Sequence, residues 1–189
     1  MATTRVLTLV GSLRSGSVNR QLAETAAHVA PEGTEVAIYE GLAEVPFYNE
    51  DIDVAGAIPA TVEALREAAG AADALLLVTP EYNGTIPAVL KNAIDWLSRP
   101  YGSGAAAGKP VAVISASPSP NGAKWAHDDT RKAVTIAGGK VLEDVALSLG
   151  GTTQKFGELH PRENNEVAEQ IGDVVRRLVD AAQAELVAV

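Results

Sequence analysis

The stretch RVLTLVGSLRSGSVNR, residues 5–20, runs from an apolar segment into a loop of small and polar residues and then toward a helical pattern. RVLTLV (5–10) reads as a strand, and residues 18–29 behind the loop read as a helix. Strand, short loop and helix make the first part of a βα unit. The fold therefore depends on whether the rest of the chain repeats it.

It does. Further strands are predicted at 35–40 (EVAIYE), 74–79 (ALLLVT), 110–115 (PVAVIS) and 141–147 (VLEDVAL), and further helices at 59–71, 87–98, 122–137 and 163–186. ALLLV and VAVIS are apolar on both faces, as central parallel strands covered on each side should be. The last helix sets Val167, Ile171, Val174, Val175, Leu178 and Val179 on one face and Arg176, Arg177 and Asp180 on another. Five strands alternating with five helices predict an α/β fold, a doubly wound five-stranded parallel sheet of order 2-1-3-4-5 with helices on both faces. Its ligand crevice lies beyond the carboxyl ends of strands one and three.

Composition narrows what such a crevice can do. The 189 residues fit one domain spanning 1–189. There is no cysteine, which removes disulfides, thiolate nucleophiles and cysteine-held metal clusters, so redox chemistry would need a bound cofactor. A net charge of −9 argues against nucleic acid or an anionic membrane as partner. No stretch approaches the roughly 20 apolar residues of a spanning helix, and a cytoplasmic location is expected.

The loop GSLRSGSVNR (11–20) precedes a helix N-terminus, whose free backbone N–H groups suit a phosphate. Ser12, Ser17 and Asn19 add neutral donors and Arg14 a charged one. Gly11 and Gly16 have P-loop spacing, yet Ser17 and Val18 stand where Lys and Ser/Thr should follow. A dinucleotide fingerprint fails as well, because Leu13 occupies the second glycine position. The alternative is that Ser and Asn only cap the helix.

A second loop-to-helix stretch, TPEYNGTIPAVLKNAIDWLSR (79–99), follows the third strand. Pro80, Gly84 and Pro87 can impose an unusual backbone path, Tyr82 offers an aromatic face and Asn83 an amide, a combination suited to a flat heteroaromatic ring. A structured turn before a helix with Pro at its start is the plainer alternative.

With both motifs in place, the chain resembles the NADPH-dependent FMN reductase family of flavodoxin-like proteins, which includes quinone, chromate and azo-dye reductases. GSLRSGSVNRQL looks like its phosphate loop and PEYNGTIPAVLKNAIDWLSRP like its flavin-ring loop, and the resemblance spans roughly residues 5 to 180 in element order. It implies FMN as cofactor, with Ser12, Arg14, Ser17 and Asn19 around the phosphate and Pro80, Glu81, Tyr82, Asn83 and Gly84 along the ribityl chain and ring edge. It implies NADPH or NADH as hydride donor, a small-molecule electron acceptor such as a quinone or flavin, ping-pong kinetics and no catalytic side chain beyond the flavin. It also implies a homodimer or tetramer, with residues 91–100 near the subunit contact; Trp96 and Leu97 fit an interface or a core equally. The rival within the same fold is a flavodoxin-type electron carrier that does not itself oxidise NADPH.

In the third loop, SASPSPNGAKWAHDD (115–129), the family often has S-x-G-x-x-G-G, and Pro118 and Pro120 make this version stiffer. Ser115 and Ser117 are still expected near the flavin; Trp125 either covers the pocket or, the favoured reading, packs beneath the loop. His28, His127 and His160 lack paired ligand spacing and read as surface histidines. Glu50, Asp51 and Asp53 read as a solvated loop, so no metal is expected.

Overall fold

A computed structural model describes residues 3–187. Strands β1 (Thr4–Val10), β2 (Thr34–Ile38), β3 (Ala74–Thr79), β4 (Pro110–Ala116) and β5 (Lys140–Leu149) form one sheet in the order β2-β1-β3-β4-β5. Every pairing is parallel. Around the sheet lie α1 (Val18–His28), α2 (Ala60–Ala71), α3 (Ala88–Leu97), α4 (Lys124–Ile136), α5 (Thr152–Phe156) and α6 (Asn165–Val187). The fold and strand order match the sequence-based expectation, and the five predicted helices lie where expected. Helix α5 was missed: it is five residues long and starts behind Gly151 at φ 64°, too short for apolar periodicity to reveal.

Alternation along the strands builds two cores. Leu76, Val78 and Ile114 face α1 and α6, where they meet Leu22, Ile171, Val175 and Leu178. Leu75, Leu77, Val111 and Val113 face the other way, against Val62, Leu65, Leu90, Trp96 and Val134 of α2, α3 and α4. Leu→Ala truncation at such sites typically costs 2–5 kcal/mol, so the two cores hold the strand ends firmly. Val10 pairs with Val78, and Val78 with Ile114, so the loops after β1, β3 and β4 leave the sheet side by side.

The packing decides between two open alternatives for Trp96 and Leu97 and corrects the expectation for His127. Trp96 and Leu97 are fully buried against the sheet within a single chain, so neither is available as an exposed interface residue. His127 is only 1% exposed, because α4 turns this position toward the sheet. No helix among the described residues is long and apolar enough to cross a membrane.

Candidate functional site

Loop 1, residues 11–17, is pinned to the sheet where the Gly11 amide donates to the Val78 carbonyl at 2.8 Å. A Cβ on Gly11 would stand 3.1 Å from Pro80 Cδ and 3.4 Å from Leu90. Loops 1 and 2 therefore touch, and only glycine permits that approach without displacing a neighbour. Ser17 is the N-cap of α1 by position and is buried, yet its side chain makes no capping hydrogen bond. The first turn of the helix keeps its unpaired donors and positive end. Arg14 is exposed and joins none of the ion pairs among the described residues. Ser12 is half-buried beside it.

Asn19 is 5% exposed and its Nδ2 donates to the Ala116 carbonyl at 3.2 Å, tying the start of α1 to the end of β4. Its Oδ1 is buried without a partner. Arg20, close by, is committed elsewhere: its two Nη atoms reach Glu40 at 2.7 and 2.6 Å and its Nε reaches Glu24 at 3.0 Å. The hydrogen bond to Glu40 pushes this guanidinium further above its ordinary pKa, and Arg20 in turn lowers that of Glu40. Of the two arginines in the stretch, Arg14 is the one free to meet an anion.

Loop 2 turns on two residues. Tyr82 and Thr85 exchange backbone hydrogen bonds at 3.2 Å around Asn83 (φ 52°) and Gly84 (φ 77°). Asn-Gly is the pair that best tolerates successive positive φ angles, which explains why this sequence makes so tight a turn. Pro80 is buried, while Tyr82 and Asn83 are exposed. Glu81 has an unforeseen place: its Oε2 accepts from the amides of Trp125 and Ala126 at 3.0 and 3.2 Å, capping α4 from across the crevice. The N-cap residue of α4, Ala123, has no polar side chain with which to do so. A second strut joins Thr85 Oγ1 to Asp129 at 2.6 Å.

Trp125 does not pack beneath the third loop. It is 62% exposed, with its indole Cε3 3.5 Å from where a Gly84 Cβ would lie. The Glu81 cap ties the first turn of α4 to loop 2, and the indole lies beside Gly84 at the rim.

Loop 3, residues 117–123, spends its polar groups on the protein. Ser115 at the end of β4 is fully buried, donating to the Gly122 carbonyl and lying 2.9 Å from the Ser148 hydroxyl. Ser117 Oγ donates to the Ser119 carbonyl at 3.3 Å, and the Asn121 amide donates to Ser119 Oγ at 3.2 Å. Ser115 is thus held away from the rim, whereas Ser117 stays partly exposed beside it.

A third wall was not foreseen. A cavity of about 550 Å³ opens between Gly11 and Arg14 of loop 1, Tyr82 of loop 2, and Leu42, Pro46 and Phe47 from the segment after β2. Helix α3 holds that segment from below. Asn92 accepts from the Tyr48 amide at 2.8 Å and donates to the Pro46 carbonyl at 3.0 Å, and Trp96 Nε1 donates to the same carbonyl at 2.8 Å. Asn92 and Trp96, one helical turn apart in KNAIDW, thus act together as a clamp. Arg66 stacks on Trp96 at 5.3 Å and pairs with Asp53 at 2.8 Å, which takes Asp53 out of the expected solvated cluster.

Both ring nitrogens of His127 lie buried without a partner, and desolvation foremost, then the charge of Arg131, lowers its pKa to about 4. It stays neutral at physiological pH. No metal-binding cluster of His, Asp and Glu occurs among the described residues.

Comparison with known proteins adds to this geometry. The model of a family described as NADPH-dependent FMN reductase matches residues 4–154. A quinone reductase of Pseudomonas putida is 41% identical over 151 residues, covering 80% of either chain. A quinone reductase of Escherichia coli is 37% identical over 171 residues, 90% of this chain and 85% of that one. Among solved structures, FerB of Paracoccus denitrificans, a flavoenzyme NAD(P)H:(acceptor) oxidoreductase, superposes with a TM-score of 0.83 at 29% identity over 96% of this chain and 98% of its own.

Proposed function

The chain belongs to the NADPH-dependent FMN reductase family, and on that premise we propose that it is an FMN-dependent oxidoreductase carrying a hydride from NADPH or NADH, through FMN, to a quinone, flavin or similar small acceptor. The two half-reactions would alternate at one site, giving ping-pong kinetics. The observation that carries this reading is the uncapped start of α1, with Arg14 free beside it, meeting the positive-φ turn of loop 2 across the Gly11–Pro80 contact.

These residues fit a flavin mononucleotide. Ser17 keeps its hydroxyl out of the helix cap, so Ser12, Arg14, Ser17 and the first-turn amides of α1 can receive a dianionic phosphate. Asn19 would contribute by fixing the helix start to β4. Pro80, Tyr82, Asn83 and Gly84 would border the ring mainly through main-chain groups turned outward at Asn83 and Gly84. Glu81, already engaged with α4, would shape that loop, and Ser117 would bound it from the β4 side. Bound flavin supplies the two-electron chemistry that this cysteine-free chain lacks in its side chains.

The apolar walls at Leu42, Pro46 and Phe47 suit a flat, weakly polar acceptor. Any homodimer or tetramer would use the outer face of α3, where Lys91 is exposed, rather than the buried Trp96 and Leu97. The test is steady-state NADPH oxidation by FMN-loaded protein at several fixed quinone concentrations. Parallel double-reciprocal lines are expected; intersecting lines would overturn the alternating scheme. Absence of turnover with any quinone would favour an electron carrier.

A further inference from the structure

Chemistry at the rim depends on what flanks the Asn83–Gly84 turn, and the turn has an aromatic residue beside each end. Tyr82 borders the cavity, whereas the indole of Trp125 lies against Gly84, 3.5 Å from its Cβ direction. Trp125 is 62% exposed although it sits in the first turn of a helix whose following positions, Ala126 and His127, are buried. Its backbone is anchored at both ends of the turn. Glu81 binds the Trp125 and Ala126 amides, and Thr85 binds Asp129 one helical turn further on. The helix start that carries the indole is therefore anchored to loop 2, and the indole has one edge beside the glycine and most of its surface open.

A large, exposed aromatic surface beside a ring-binding loop favours flat, uncharged partners through dispersion and offset stacking. It offers nothing comparable to a small, strongly hydrated anion. We infer that Trp125 is a specificity-determining residue for the electron acceptor, its indole forming a stacking wall that favours planar aromatic quinones over small anionic acceptors. The inference rests on the flavin-reductase reading above. NADPH is expected to depend less on this wall, because its binding draws on charged and hydrogen-bonded groups along its length.

The chain has two tryptophans, and Trp96 is fully buried, so Trp125 is the one open to small quenchers. Acrylamide should quench a component of the emission of the apoprotein that is missing in Trp125→Phe. Its absence would mean that another copy or partner covers the indole, and would overturn the assignment. In FMN-loaded enzyme, Trp125→Ala should lower the ratio of kcat/KM for 2-methyl-1,4-naphthoquinone to that for ferricyanide by about fivefold, the scale of one lost stacking contact, with Trp125→Phe falling between. The change should appear mainly in the naphthoquinone KM. An unchanged ratio, or an equal rise in the KM for NADPH, would overturn the role given to Trp125. A wild-type protein that binds no FMN and reduces neither acceptor would instead overturn the reading of the site as a flavin reductase.

Discussion

Loops 1 and 3 leave neighbouring strand ends, are similarly rich in serine, and have opposite hydrogen-bond economies. In loop 1 the Ser17 side chain caps nothing, Arg14 has no ion-pair partner among the described residues and the start of α1 is left open. At loop 3, Ser115 of the preceding β4 is bound to Gly122 and Ser148, Ser117 to Ser119, and Ser119 also receives the backbone amides of Asn121, Gly122 and Gly151. The exception is the side-chain Nδ2 of Asn121, buried without a partner. Close packing explains the contrast, since a Cβ on Gly150 would meet the Pro120 carbonyl at 2.4 Å. Donors left open beside a helix start suit a ligand; donors turned inward suit a strut.

The largest effect expected from the strut side comes from His127, buried in α4 just behind loop 3. Its folded pKa of about 4 lies below the unfolded value near 6.5, so between these values the unfolded chain binds more protons and stability falls as pH falls. The contribution is complete above pH 6.5 and lost as pH approaches about 4, a loss of about 3 kcal/mol at most. Urea midpoints measured across this window should show the slope, and His127→Gln should flatten it. A wild-type curve that is flat there would show that the imidazole is not held neutral.

On the ligand side, Arg14→Ala should weaken FMN binding by roughly 10- to 100-fold, the value of one charge-assisted hydrogen bond, while leaving the urea midpoint almost unmoved. Flavin fluorescence titration measures the first and chemical denaturation the second. Ser115→Ala should behave in the opposite sense. It should cost about 1–2 kcal/mol of stability by leaving the Gly122 carbonyl and Ser148 hydroxyl short of a partner, with a smaller effect on FMN affinity than Arg14→Ala. If the two variants exchanged these signatures, the contrast between the loops would be reversed.

Much of this could be read from the chain because the relevant signals are local. Apolar runs such as ALLLVT mark central strands wherever they occur, and GSLRSGSVNR carries its small residues and its arginine within one loop. The wall at Leu42–Phe47 was hidden because its position depends on Asn92 and Trp96, more than forty residues downstream. Trp125 and His127 were misplaced for a related reason. Residue type alone puts tryptophan inside and histidine outside, but α4 packs on the sheet through the face that carries Ala126, His127, Thr130 and Val134, which leaves Trp125 outside. Ser115 sits next to the site in sequence, and only the neighbouring β5 reveals that its hydroxyl is already used.

Comparing FMN with riboflavin on the apoprotein tests the joint role of loops 1 and 2 most directly, since the two ligands differ only in the phosphate assigned to loop 1. FMN should bind at least about 100-fold more tightly, and Arg14→Ala should close most of that gap while leaving riboflavin affinity nearly unchanged. Equal affinities for the two flavins, or no binding of either, would contradict the account.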